Sequence, residues 1–135
     1  MILKFKKNNE GLLSEHFHSK DFDCKCNYQD CLETSIDEDL IEGLEELWMI
    51  TKGFHIDSGF RCAKHNKEIG GVPDSQHLLG KAADCKSVYQ YTGSLMAQYA
   101  EKIKVFRKGG IGIYPTFVHV DTRQGPARWG TPKTC

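Results

Sequence analysis

No stretch of this sequence approaches the roughly 18 consecutive apolar residues of a membrane-spanning helix. The opening run from Met1 to Glu10 is broken by Lys4, Lys6 and Lys7, so it lacks the apolar centre of a secretory signal. The expectation is a chain made in the cytoplasm without a signal peptide and not inserted in a membrane. An excess of one charge is missing too. The 18 lysines and arginines balance 18 aspartates and glutamates, leaving no overall field to draw nucleic acid or an anionic surface. Repeats, low-complexity tracts and Pro/Ser-rich linkers are absent, and there are only 4 prolines to mark a boundary. The 135 residues therefore read as one domain, 1–135, large enough for a hydrophobic core.

Residues 1–34 look irregular and polar, with Phe17 and Phe22 as anchors. From Ser35 to about Lys52, the residues Ile36, Leu40, Ile41, Leu44, Leu47, Trp48 and Thr51 recur at helical spacing. Ser35 and Glu38 have the spacing of a capping box, and Gly53 offers a stop. Phe54–Ser58 reads as a strand, Ala63–Ile69 as a short helix ending at Gly70-Gly71, and Val72–Gly80 as a loop of turn formers. Ala82–Lys86 reads as a strand and Gly93–Ile103 as an amphipathic helix. Gly110–Tyr114 and Phe117–Thr122 read as two strands turned at Pro115-Thr116. This pattern gives an α+β fold with helices on one side of a small, mostly antiparallel sheet.

Two segments concentrate the chemistry. One is Ser75-Gln76-His77-Leu78-Leu79-Gly80-Lys81-Ala82-Ala83-Asp84, the other Phe117-Val118-His119-Val120-Asp121. His77, Asp84 and His119 can supply three ligands to a tetrahedral zinc, leaving the fourth position for water, as a catalytic rather than a structural zinc requires. Alternation along a strand puts His119 on the face of Phe117 and Asp121, and Asp84 on the face of Ala82 and Lys86. Two neighbouring strands can thus present Asp84 and His119 to one cleft, with His77 arriving from the preceding loop.

The cysteines number six. Cys24, Cys26 and Cys31 form a C-x-C-x4-C cluster, Cys62 and Cys85 lie near the proposed site, and Cys135 ends the chain. Three readings of the early cluster stand side by side: a second, structural zinc, free thiols, or a disulfide if the protein works outside a cell.

The run Ser75–Asp84 resembles the S-x-H-x-x-G-x-A-x-D signature of the zinc D-Ala-D-Ala carboxypeptidase and L-alanyl-D-glutamate peptidase family, whose fold is shared with the hedgehog signalling domain. Ser58-Gly59-Phe60-Arg61-Cys62-Ala63-Lys64-His65-Asn66 resembles the family's upstream segment. Gly109-Gly110-Ile111-Gly112-Ile113-Tyr114 leading into Phe117–Arg123, with Arg128-Trp129 after it, is similar to its last part. The resemblance covers roughly residues 15 to 130. It implies a hedgehog/DD-peptidase-like fold, a zinc held by His77, Asp84 and His119, and cleavage of peptidoglycan stem peptides containing D-amino acids.

It also implies that Arg61 sits where charge develops on the scissile carbonyl or where a substrate carboxylate is held, against the plainer reading of a structural ion pair. Ser75 is read as orienting its loop or touching substrate. In several relatives an acidic residue three positions before the last histidine takes the water proton, but here that position is Thr116. Asp121 is the nearest substitute, as base or as a partner that fixes a ligand, with His65 and His55 as further candidates. The expected function is a murein peptidase, a phage lysin or tail-associated enzyme acting at the bacterial cell wall with phage tail proteins among its partners. The alternative is a non-catalytic murein-binding or structural tail module that keeps the fold.

Overall fold

The computed structural model describes residues 1–130, so Cys135 lies outside the described residues. Its elements in chain order are β1 (Ile2–Lys6), β2 (Glu33–Asp37), α1 (Glu38–Thr51), β3 (Phe54–Ser58), α2 (Ala63–Glu68), β4 (Ala82–Ser87), α3 (Gly93–Ala100), α4 (Lys104–Arg107), β5 (Gly110–Ile113), β6 (Val118–Asp121) and β7 (Ala127–Trp129), with 3-10 turns at Ser19–Phe22 and Gln76–Leu79. The main sheet has the order β3-β4-β6-β5-β7, antiparallel except for the parallel pair β5–β7, and β1 and β2 form a separate antiparallel ribbon. The α+β class expected from the sequence is what the chain adopts.

One face of the sheet is packed and the other is open to a cleft. Ala83 and Cys85 on β4, Val118 and Val120 on β6 and Ile111 on β5 point into a core shared with Leu40, Leu44 and Leu47 of α1, Met96 and Ala100 of α3, and Phe106 of α4. Each such leucine contributes about 1.5–3 kcal/mol on leaving water. Gly43 marks where α4 presses closest, since a Cβ there would meet Val105 and Phe106 side chains at 2.6 and 2.7 Å.

The N-terminal part departs from the irregular backbone expected for residues 1–34. Lys4 pairs with Ser35 and Leu3 with Ile36, so residues assigned to the helix by spacing belong to β2. The first turn of α1 is capped by Asp37, whose side chain accepts from the Asp39 N–H, rather than by Ser35 with Glu38. At the other end the left-handed position is taken by Lys52 (φ 68), which donates its N–H to Trp48, one residue earlier than the expected Gly53 stop. Two further elements, α4 and β7, lie beyond the expected set.

Candidate functional site

The sheet register builds the site. Ser58 pairs with Asp84, Asp84 with His119, His119 with Gly112 and Gly112 with Trp129, so these side chains share one cross-strand row on the open face. The next row joins Ala82, Asp121 and Gly110. His77 comes to the same place from the 3-10 turn that follows Ser75. The Ser75 hydroxyl caps that turn by accepting from the His77 N–H at 3.2 Å, and Gly80 ends it at φ 74. A Cβ on Gly80 would lie 2.3 Å from the Ser35 carbonyl oxygen. This supplies the physical reason for a glycine there.

Donor atoms of His77, Asp84 and His119 lie within 4.8 Å of one another, and all three residues are buried. The His77 Nδ1–H donates to the Gly59 carbonyl at 2.6 Å, which fixes the tautomer and leaves Nε2 as a lone-pair donor. That Nε2 is buried with no hydrogen-bond partner and faces Asp84 Oδ1 at 3.3 Å. Two acceptors held that close call for positive charge between them. His119 repeats the motif: Nδ1 lies 3.2 Å from Asp84 Oδ1, and Nε2 lies 2.7 Å from Asp121 Oδ2.

Burial would raise the pKa of the Asp84 carboxyl, yet its hydrogen bond with His119 and then the nearness of the His77 ring outweigh that and hold it well below the usual carboxylate range. Burial would make His119 less basic, but hydrogen bonds to Asp121 and then Asp84 raise its pKa above the ordinary histidine value. Two nitrogens and one carboxylate oxygen, with an orphaned lone pair aimed among them, form a donor set suited to a divalent metal such as zinc.

Asp121 is fully buried and committed on every side. Besides His119, its oxygens accept from the Gly110 N–H at 2.9 Å, the Arg123 N–H at 3.1 Å, Arg123 Nε at 2.9 Å and Arg123 Nη2 at 2.8 Å. Burial alone would raise its pKa, but the bonds with His119 and Arg123 drive it far down. Both carboxylate oxygens are engaged, and Asp121 is not among the residues that line the cleft. Gly110 makes it fit, because a Cβ there would lie 2.2 Å from Asp121 Oδ2.

Arg61 donates to Ser58 Oγ at 3.1 Å, to Asn66 Oδ1 at 3.2 Å and to Asp84 Oδ2 at 3.5 Å. It is thus an ion-pair partner of Asp84 and part of the cleft wall at once. The cleft has a volume of about 580 Å³, with Arg61, Asp74, Ser75, Tyr114, Arg123 and Trp129 among its lining residues. Tyr114 stacks on Phe117 at 4.4 Å between ring centroids, and the Trp129 indole lies 4.8 Å from the His119 ring while donating to Tyr114 Oη. His65 sits on α2 and His55 is exposed on β3, neither among the cleft-lining residues. Thr116 lies exposed on the turn between β5 and β6.

Sequence reasoning did not single out Asn66, which buttresses Arg61, or Asp74, the carboxylate at the cleft mouth. It also left Cys62 out of the early cysteine cluster, although its thiol faces those of Cys24 and Cys26. Only three-dimensional proximity reveals these roles.

A Haemophilus influenzae protein described as a probable peptidoglycan L,D-endopeptidase MepK is 35% identical over 77 residues, covering 52% of this chain and 38% of that protein. The chain therefore spans well under two thirds of that relative's length. The Peptidase M15 family matches residues 15–121, a stretch that contains Arg61, Ser75, His77, Asp84, His119 and Asp121 and takes in most of the sequence. The chain belongs to the Peptidase M15 family.

Proposed function

We propose that the protein is a zinc-dependent peptidase that hydrolyses an amide bond in the peptide part of bacterial peptidoglycan, acting at the cell wall. The observation that carries this reading is the buried, unpartnered His77 Nε2 aimed at Asp84 Oδ1 beside His119, in a cleft open to substrate. Support for the substrate class comes from membership of a peptidase family and from the relative named for peptidoglycan cleavage. The expected phage tail partners find no support in either, and the proposal rests on murein alone.

His77, Asp84 and His119 would hold the ion. A bound zinc supplies Lewis acidity toward the scissile carbonyl and the attacking water. The protein's own part is positioning. Arg61, fixed by Ser58 and Asn66, offers positive charge to the carbonyl oxygen as it becomes anionic or to a carboxylate of the peptide. The Trp129, Tyr114 and Phe117 rings wall the cleft and displace water around the peptide. Asp121, locked between His119 and Arg123, keeps the imidazole in the ligating tautomer. The proton of the attacking water falls to another group, and Asp74 is the cleft-lining carboxylate left for it.

A non-catalytic murein-binding module is the second reading, favoured by Thr116 standing where the family resemblance leads to the expectation of an acid. Digestion of purified murein by zinc-loaded protein, with His77→Ala as control, separates the two. New amino groups released by the wild type and absent with the variant are expected, and mass analysis of the fragments names the bond. Binding without any release would leave the module.

A further inference from the structure

We propose that Cys24, Cys26, Cys31 and Cys62 hold a structural zinc ion that clamps the N-terminal segment to the Arg61 wall of the cleft. The four Sγ atoms lie within 4.8 Å of one another. Cys24 and Cys62 are 3.7 Å apart at sulfur, and Cys62 and Cys26 are 3.9 Å apart. A tetrahedral zinc with Zn–S bonds of about 2.3 Å has sulfur–sulfur edges of about 3.8 Å. The separations therefore match a tetrahedron around one ion. They are too long for sulfur–sulfur bonds of about 2.05 Å.

Hydrogen-bond donors and one positive charge are aimed at the sulfurs. Cys62 donates its backbone N–H to Cys24 Sγ, and His65 donates its own to Cys62 Sγ, each at 3.4 Å. Lys7 Nζ stands 3.5 Å from Cys26 Sγ and 3.1 Å from the Cys26 carbonyl oxygen. Four thiolates around a divalent zinc carry a net charge of about minus two, which the Lys7 ammonium offsets by one while the two backbone N–H donors stabilise the sulfurs. With all four positions filled by sulfur, the site has no opening for substrate, which makes it structural rather than catalytic.

Its place in the fold gives it a task. Cys62 follows Arg61 directly and caps α2, the helix whose Asn66 holds the Arg61 guanidinium. The loop bearing the other three thiols meets α2 again through the Tyr28 hydroxyl bonded to Glu68, and through Lys64 set 4.6 Å over the Tyr28 ring and 3.4 Å from Asp30. Those contacts are exposed and weak singly. An ion joining residue 62 to residues 24–31 fixes what they only bias. Cys85 takes no part, being buried in the core on the far side of the sheet.

The proposal stands apart from the cleft reading, and a protein without the cleft ligands tests it. The double variant His77→Ala, His119→Ala, purified under reducing conditions, should retain one zinc per chain with an X-ray absorption shell of sulfur alone at about 2.3 Å. Further replacement of Cys62 by serine should abolish it. Zinc-free double variant, or zinc with a nitrogen and oxygen shell, overturns the proposal, as does a disulfide among these cysteines found by mass analysis. Should the double variant not fold, the wild type answers in its place: sulfur must account for a large share of its zinc shell, and a shell without sulfur sinks the site.

Discussion

At the scale of single residues, Asp121 distinguishes two mechanisms that the same sequence allows. A general base needs a free lone pair within reach of the water, whereas Asp121 is fully buried and accepts from the Gly110 amide, the Arg123 amide and side chain, and the His119 imidazole. Under the proposed function its task is to raise the ligating power of His119 and fix its ring, the kind of support whose loss weakens metal binding by about 10–100-fold. Asp121→Asn should lower zinc affinity by that factor, and excess zinc should restore most of the lost turnover. Titration against a competing chelator, alongside murein hydrolysis at rising zinc, reads both. A variant that keeps wild-type zinc affinity yet loses about 10² in rate at saturating zinc would return Asp121 to the role of base.

At the scale of elements, the site is a row across a sheet, and small residues decide what the row can carry. Gly112 sits between His119 and Trp129, where a Cβ would fall 2.3 Å from the indole. Gly112→Ala should therefore push Trp129 off the open face, costing about 1–3 kcal/mol of stability as overpacking does. KM for murein peptides should rise and tryptophan emission shift, with zinc content unchanged. An unaltered KM and emission would mean that the indole neither moves nor touches substrate. The strands β4 and β6 were legible because their alternation puts Ala83, Cys85, Val118 and Val120 on one face and Asp84, His119 and Asp121 on the other. The same alternation is why Asp84 and His119 could be expected to face one cleft, while His77 reaches it from the turn Gln76–Leu79. β7 was not legible, since three residues carry no period and its pairing with β5 is a long-range event. Ser35 and Glu38 gave a local capping signal that lost to pairing with β1, a competitor thirty residues away that no local window contains. Cys62 was missed by the same limit.

At the scale of the whole molecule, the N-terminal segment must be held against α1 for the cysteine loop to reach α2, and Glu45 is a principal fastener. Its carboxylate accepts from Ser14 Oγ, the His16 N–H and His16 Nδ1, each at 2.7 Å, while the His16 ring stacks on Trp48 at 4.6 Å. Burial alone would raise the Glu45 pKa, yet the hydrogen bonds from His16 and Ser14 prevail and lower it. A carboxylate with a depressed folded pKa stabilises the fold above its unfolded value of about 4.3 and loses that contribution as pH falls through the folded one. Glu45→Gln should consequently cost about 1 kcal/mol near pH 7, discounted for partial exposure. The gap from wild type should narrow as pH falls below about 4.3 and close once pH has passed the lower folded pKa, where the wild-type carboxyl is itself protonated. Denaturant midpoints measured for both proteins across that range test it. A difference that stays constant down to pH 3 would show that the amide's altered packing, and not the lost charge, is what weakens the segment's hold on α1.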